Sequence, residues 1–309
     1  MVAVDTHQHL WSEPLWAELA CRTEAPYVRR HGDRWTLHLL AEPACVMPGP
    51  EDPAGRSALL DLDGIDLAVV APSTALGAEW LPRDQAEQLW SAHREGIAAA
   101  GARFRRWGTI SLIEPDPADL EAELRSGAVG LCLPAGALAT THAIDRLGPV
   151  LEHLERAGAP LFIHPGPTPA DVAAADGARW SAEPWWWPGL TDYVAEMQRA
   201  WFVWAARGRR EHPQLRVLFA MLAGLAPLQA ERLAARGAEA LAARAVSDSF
   251  AWYETSSYGR IAQGAVAVAV GADRLVHGSD RPVVEGELPS IITPAHATEH
   301  AHALLGKAA

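Results

Sequence analysis

The chain almost lacks lysine: of its 309 residues only Lys307, near the C-terminal end, is one. That excludes a Schiff-base mechanism and a carbamylated-lysine bridge between two metals, leaving a mononuclear site as the natural reading of any metal-ligand set. Cysteine is scarce too. Cys21, Cys45 and Cys132 are odd in number and form no C-x-x-C pair, so neither a disulfide framework nor a thiolate zinc site is supported, and the three read as small buried hydrophobes. Positive charge is in deficit, with 26 basic against 38 acidic residues for a net charge of −12. The arginine pairs Arg29-Arg30, Arg105-Arg106 and Arg209-Arg210 are scattered rather than clustered, so no nucleic-acid partner is expected. No apolar run approaches the roughly 18 residues of a spanning helix, and the candidate first strand begins at Val2, which leaves no room for a signal peptide. The expectation is a cytoplasmic protein without a membrane partner.

What is present is apolar. Hydrophobic residues make up 49% of the chain, ample for a substantial core, and the length fits one large α/β barrel or two ordinary domains. Eight short runs rich in Val, Ile, Leu and Ala recur: Val2–His9, Ile65–Pro72, Arg106–Leu112, Val129–Pro134, Pro160–Pro165, Arg216–Ala223, Ala251–Ser256 and Leu275–Asp280. Apolar runs without alternation suit parallel strands covered on both faces. Helical patterns lie between most of them. Asp116-Pro117-Ala118-Asp119 offers an N-cap, a proline at the first helical position and an acid in the first turn, while Leu147, Val150, Leu151 and Leu154 step at helical spacing until Gly158.

The count of eight predicts an α/β fold, a (β/α)8 TIM barrel, as a single domain over residues 1–309. Two segments exceed the barrel minimum. One is an insertion after strand 1, at approximately residues 11–63, whose Pro, Trp and His content suggests an ordered excursion over the mouth. The other is the loop 166–188 over the barrel mouth, which contains Trp180 and the run Trp185-Trp186-Trp187 before a helix starts near Thr191. No repeat, low-complexity tract or linker marks a second domain.

Three motifs stand at the ends of strand-like runs far apart in the chain: Val4-Asp5-Thr6-His7-Gln8-His9, Phe162-Ile163-His164-Pro165-Gly166 and His277-Gly278-Ser279-Asp280-Arg281-Pro282. In a parallel barrel such ends converge on one mouth, where these folds do their chemistry. Read together, the motifs predict one metal site. His-x-His alone is weak evidence in a chain with 13 histidines, and a second copy stands at His300 and His302. That copy lies in a segment that reads as helix, where residues two apart diverge around the axis; on a strand, period two aims both rings the same way. Only His7 and His9 are placed to chelate.

These motifs resemble the amidohydrolase-related branch of the amidohydrolase superfamily, which includes aminocarboxymuconate-semialdehyde decarboxylase, resorcylate decarboxylases and sugar-acid or dicarboxylate lactonases. Asp5-Thr6-His7-Gln8-His9-Leu10-Trp11 is similar to the D-x-H-Q-H-F-W opening of the rhamnono- and fuconolactonase-like subgroup, and Gly278-Ser279-Asp280-Arg281-Pro282-Val283 to its G-S-D-W-P-V. Residue by residue, the resemblance implies that His7, His9, His164 and Asp280 surround one divalent ion, usually zinc. Three imidazoles and a carboxylate form an N/O set that Zn²⁺ or Mn²⁺ accepts, with a further position for a water that the metal acidifies. Asp280 can take that water's proton as general base. Some lactonases of this branch work without a metal. The bland reading is of polar strand-end residues hydrogen-bonded to loops, but four of them from three distant motifs in family order are hard to assemble by accident.

One departure from the family pattern bears on the reaction. Such sequences read "a-H-x-G-G…P" at the end of strand six, and the decarboxylases keep a histidine there beside the metal. Here the stretch is Ala220-Met221-Leu222-Ala223-Gly224-Leu225-Ala226-Pro227. A thioether has no proton to give, so Met221 cannot polarise or protonate a substrate, though it can serve as a soft apolar wall. His277 should point toward the helices if Asp280 points inward; Tyr253, Glu254 and Ser256 at the end of strand seven are equally open substitutes.

Further candidates for contact with a small-molecule substrate are Trp11 and Trp80, which follow strands one and two, and Trp185 and Trp187, read either as an apolar lid or as packing beneath a loop or at a dimer contact. Arg281 and Arg260 have the bidentate geometry to hold a substrate carboxylate. The expected function is a metal-dependent hydrolase opening a lactone or related cyclic ester or amide through metal-activated water. The alternatives are a non-oxidative decarboxylase of an aromatic or enoic acid, and a non-catalytic small-molecule-binding barrel. A homodimer is the family-level expectation.

Overall fold

The computed structural model of the chain describes residues 2–174, 184, 186–284, 290–292 and 294–306, with the backbone alone at 294–297. In chain order its strands are β1 (Val4–Gln8), β2 (Tyr27–His31), β3 (Arg34–His38), β4 (Cys45–Met47), β5 (Leu67–Val70), β6 (Phe104–Gly108), β7 (Ala128–Pro134), β8 (Leu161–His164), β9 (Val217–Phe219), β10 (Ala251–Glu254) and β11 (Leu275–Val276). β1 and β5 to β11 form one eight-stranded parallel sheet in that order. Each of the eight predicted runs overlaps one of its strands, and those at Arg106–Leu112, Arg216–Ala223 and Leu275–Asp280 continue past the strand's end. Strands β5, β7, β8, β9, β10 and β11 are buried along their whole length, as strands covered on both faces must be.

The helices cover the outer face of the sheet. Ala143–Ala157 buries Ile144, Leu147, Val150, Leu151 and Leu154 on one stripe and stops at Gly158, whose φ of 63° lets its N–H reach the carbonyls of Leu154 and Glu155. Pro117–Arg125 starts where Asp116 accepts the N–H of Ala118. Among the described residues no helix is long and apolar enough to cross a membrane.

The barrel closes between β1 and the segment that follows β11. Thr6 donates its N–H to the His277 carbonyl (3.0 Å), Asp280 to that of His7 (2.9 Å) and His9 to that of Arg281 (2.7 Å), with Gln8 and Arg281 forming a parallel bridge. The first and last motifs are therefore the two sides of one seam. Asp5, 1% exposed, staples it: Oδ1 accepts the N–H of His7 and of Ser279, both at 3.1 Å, and Oδ2 accepts the Gln8 amide at 2.7 Å.

The insertion consists of the helix Glu13–Cys21, the antiparallel sheet β2-β3-β4 and the helix Pro53–Asp63. It returns to β1 through Arg56. That buried guanidinium donates to the His9 carbonyl (2.9 Å), Glu51 Oε1 (2.7 Å) and Gln8 Oε1 (2.5 Å), while the second Glu51 oxygen accepts the Trp11 N–H at 2.8 Å. Inward-facing His7 and His9 are thus held from outside by bonds to Gln8 and to the backbone.

Replacing Asp5 by Ala leaves two buried donors and one half-buried donor without their acceptor. At about 1–3 kcal/mol per unsatisfied group, and with partial relaxation, the expected loss is about 3 kcal/mol of unfolding free energy. Urea unfolding of Asp5→Ala measures it; an unchanged midpoint would remove the staple from this account.

Candidate metal centre

His7, His9, His164 and Asp280 meet at the barrel mouth, all buried, with one ligand atom from each within 4.8 Å of the others. His7 Nε2 is 3.3 Å from His9 Nε2, and Asp280 Oδ1 lies 3.4 and 3.2 Å from those two nitrogens. A tetrahedral shell with metal–nitrogen bonds of about 2.05 Å places neighbouring donors about 3.3 Å apart. The spacing of these three donors therefore matches a common metal shell, with His164 within 4.8 Å of each.

Each imidazole is committed on its far side to an oxygen. His7 Nδ1 faces Glu254 Oε2 at 3.1 Å and His9 Nδ1 the Ala71 carbonyl at 3.1 Å, while His164 Nδ1 has the Pro165 carbonyl at 2.8 Å and Thr74 Oγ1 at 2.7 Å. Carbonyls and carboxylates only accept, which assigns the proton to Nδ1 and turns each Nε2 lone pair to the centre. Asp280 Oδ1 is buried without a hydrogen-bond partner. Three nitrogen lone pairs and an orphaned carboxylate oxygen repel one another unless a cation lies among them, so the residues present fit a divalent ion.

The titration of the group shows the same need for positive charge. Burial opposes protonation of His7, but the Asp280 and Glu254 carboxylates outweigh it and raise the pKa to about 9. His164 moves the other way, held well below its ordinary value by burial and then by the charges of His7 and His9. Burial alone would raise the Asp280 carboxyl; His7 and His9 together hold it below the usual range. Its backbone sits at φ 56°, a left-handed conformation that an aspartate tolerates, fixed by the seam bond to His7.

Glu254 is the support that places His7. It is fully buried, and besides His7 it accepts the Ser256 hydroxyl at 2.7 Å, the Met221 N–H at 3.3 Å and the Ser256 N–H. A Cβ at position 278 would collide with its carboxyl, which explains the glycine of Gly278-Ser279-Asp280. Met221 opens a left-handed turn through Leu225, with φ from 50° to 63°. Such backbone costs side-chain-bearing residues roughly 1–2 kcal/mol each. It is sustained by the Met221–Glu254 bond, by Gln198 donating to the Gly224 carbonyl at 2.8 Å and by burial of Leu222, Ala223 and Ala226. At Gly224 there is no room for a side chain, since a Cβ would come within 2.7 Å of the Val194 carbonyl.

Several expected substrate contacts lie elsewhere. Tyr253 stacks on Phe219 and its hydroxyl accepts the Trp201 indole at 3.0 Å, which turns it toward the helix Asp192–Val203; strand alternation sends Glu254 inward and Tyr253 outward. Arg281 is paired with Asp63 at 2.9 Å, at the end of the insertion's second helix, and is not free for a carboxylate. Trp11 is 4% exposed and packs edge-on against Trp16 at 6.1 Å in the insertion's own core, because β1 ends at Gln8 and its alternation ends there too. Trp187 begins the short helix Trp187–Leu190, exposed and against Trp186, and Trp185 lies outside the described residues. Trp80 does stand at the mouth, its indole donating to the Pro167 carbonyl at 3.2 Å. Met221 is buried, and His277 stays outside the ligand group, 4.0 Å from Asp5.

A cavity of about 110 Å³ lies against the segment that follows β8, lined by residues that include Glu42, Pro167, Tyr193, Glu196 and Arg199. Glu196 accepts the Gly166 N–H at 3.0 Å, and burial raises its pKa to about 8; the Tyr193 hydroxyl donates to Glu42 at 2.6 Å.

The same fold occurs in solved structures. A 5-carboxyvanillate decarboxylase from Sphingomonas paucimobilis matches with a TM-score of 0.69 at 17% identity, over 98% of this chain and 98% of that one. IDCase from Metarhizium anisopliae matches with a TM-score of 0.64 at 18% identity, over 100% of this chain and 93% of that one. The 5-carboxyvanillate decarboxylase of Novosphingobium aromaticivorans DSM 12444, complexed with manganese and 4-hydroxy-3-methoxy-5-nitrobenzoic acid, gives 0.65 at 15% identity, over 98% and 96%. Among curated proteins, the dihydroorotase of Rhizobium meliloti (strain 1021) is 41% identical over 96 residues, so that the match spans 28% of this chain and 28% of that relative. No family model matches the chain.

The His7 shift sets a pH dependence. With the folded pKa raised from 6.5 to about 9, the metal-free protein has the stabilisation from His7 in full below pH 6.5 and loses it as pH rises through about 9. Unfolding free energy measured against pH in chelator-treated protein is expected to fall across that window, and added zinc or manganese to flatten it. A slope indifferent to metal would show that the ion binds elsewhere.

Proposed function

We propose that the chain is a metal-dependent enzyme of the amidohydrolase-related family, and that it hydrolyses a lactone or a related cyclic ester or amide with Asp280 as general base. The observation that carries this reading is the convergence of His7, His9, His164 and the orphaned Asp280 oxygen on one point. A divalent ion held there, zinc or manganese by the donor set, supplies Lewis acidity and lowers the pKa of water to about 7. The protein's part is to hold the donors and move a proton. Glu254 keeps His7 in the tautomer that presents Nε2, and Ala71 and Pro165 do the same for His9 and His164. The Asp280 carboxylate, held ionised, is the acceptor for the proton that water gives up as it attacks the substrate carbonyl.

Two features support hydrolysis over loss of carbon dioxide. Met221 offers no proton where the family's decarboxylases keep histidine. Arg281, the arginine next to Asp280, is also bound to Asp63 and so is not offered to a substrate carboxylate. The second reading, a non-oxidative decarboxylase, is favoured by the fold shared with decarboxylases of aromatic acids.

Purified protein is expected to contain close to one equivalent of zinc or manganese by elemental analysis and to take up base when given rhamnono- and fuconolactones in a pH-stat. Asp280→Asn should keep its circular dichroism spectrum and lose at least about 100-fold in turnover; turnover equal to wild type would remove the proposed base. Met221→His separates the two readings. If carbon dioxide release from a hydroxybenzoic acid appears or rises in that variant while lactones stay untouched in both proteins, the chain is a weakened decarboxylase.

A further inference from the structure

Two of the three imidazoles are held by one short segment, residues 71–74, which follow β5. Ala71 and Thr74 are both fully buried. Ala71 is bonded to β1 and its continuation through both backbone groups, its N–H to the Gln8 carbonyl at 2.7 Å and its carbonyl to His9 Nδ1 at 3.1 Å. Three residues on, the Thr74 hydroxyl lies 2.7 Å from His164 Nδ1 and donates to the Pro165 carbonyl, just past β8. In the sheet β6 and β7 stand between β5 and β8, so the segment crosses the mouth as a strap. Its continuation is pinned too, since the Glu79 carbonyl accepts the Leu112 N–H at 2.8 Å and the Trp80 indole reaches Pro167 at 3.2 Å.

The hydroxyl has one proton, and the Pro165 carbonyl, which can only accept, takes it. The lone pairs of Oγ1 are then left for the proton on His164 Nδ1. The Pro165 carbonyl faces the same nitrogen at 2.8 Å, but it belongs to the neighbouring residue and moves with His164. Thr74 comes from another part of the barrel and can fix the ring against the rest of the group. His164 has particular need of such a support, because the seam bonds run through His7, His9 and Asp280 and none runs through β8. The motif His164-Pro165-Gly166 is shaped to admit it: a Cβ at position 166 would come within 2.9 Å of both Thr74 Cβ and Oγ1.

We propose that Thr74 is a positioning residue of the metal centre, whose hydroxyl holds the His164 ring toward the ligands of the seam and, with Ala71 in the same strap, fixes the separation of His9 from His164. The inference rests on the reading of the ligand group as a metal centre. Thr74 acts through His164 and not on a substrate. Outer partners that orient a ligating imidazole in this way contribute about 10- to 100-fold in metal affinity.

The full chain, stripped with a chelator and titrated with cobalt as the probe metal, tests this. Thr74→Val keeps the shape of the side chain and removes the hydroxyl; it should bind cobalt about 10-fold more weakly than wild type and alter the visible absorption of the bound ion, because one imidazole tilts in the shell. Thr74→Ala should repeat that result. Thr74→Ser restores the hydroxyl and should return both affinity, to within about threefold, and spectrum to those of wild type. A second readout needs no metal. In metal-free protein carrying ¹⁵N-histidine, the His164 Nδ1–H resonance should stand at one position in wild type and Thr74→Ser and be displaced or lost in Thr74→Val. Wild-type affinity and spectrum in Thr74→Val, failure of Thr74→Ser to rescue them, or an unmoved Nδ1–H resonance would each overturn the proposal. If wild type takes up no cobalt, the metal-centre reading fails by itself, and the ring resonance still decides whether Thr74 holds His164.

Discussion

Closure of the barrel between β1 and the segment after β11 is the constraint on which the rest of this molecule depends. The seam bonds that complete the cylinder run through His7, His9 and Asp280 themselves, so folding and site assembly are one event. Asp5 and Arg56 reinforce the seam from its two faces, one by accepting the N–H groups of both edges, the other by gripping Gln8 and the His9 carbonyl. A residue pair 273 positions apart in sequence is thereby held within hydrogen-bonding distance by backbone alone, and the side chains have only to point inward.

What they point at is a shortage of positive charge. Among the described residues no lysine or arginine is paired with the buried carboxylates of Asp280 and Glu254, and the imidazoles between them are already committed through Nδ1 to oxygen acceptors. Either a proton on His7 or a divalent ion restores the balance, and the ion engages the Asp280 oxygen and the imidazole lone pairs together. Backbone strain gathers at the same place. Asp280 and the turn from Met221 to Leu225 occupy the left-handed region within bonding reach of His7 and Glu254 respectively, as expected where surrounding structure holds functional geometry against local preference.

The eight strands were legible because continuous apolar runs have no other comfortable home than a sheet covered on both faces, and the helix after Asp116 because capping chemistry is local. His7 and His9 were legible as a pair because period two on a strand aims both rings alike. The contacts of Tyr253, Arg281 and Trp11 were not. Tyr253 turned on which side of β10 faces the helices, Arg281 on an aspartate more than two hundred positions away, and Trp11 on the point at which β1 stops being a strand. Thr74 gave no signal at all, since a lone threonine after a strand reads as loop until β8 comes within its reach.

The sequence by itself determined the eight-stranded parallel sheet and the pairing of His7 with His9, because these depend on residue type, spacing and short-range periodicity, while the place of His164 and Asp280 beside them was what the family resemblance implied. Only the tertiary structure decided which lone pairs face inward, that Glu254 fixes one ring, that Arg281 is spent on Asp63 and that Thr74 reaches His164 across the mouth. Those properties belong to contacts between distant segments, and hydrogen-bond geometry and desolvation exist only once the segments have met.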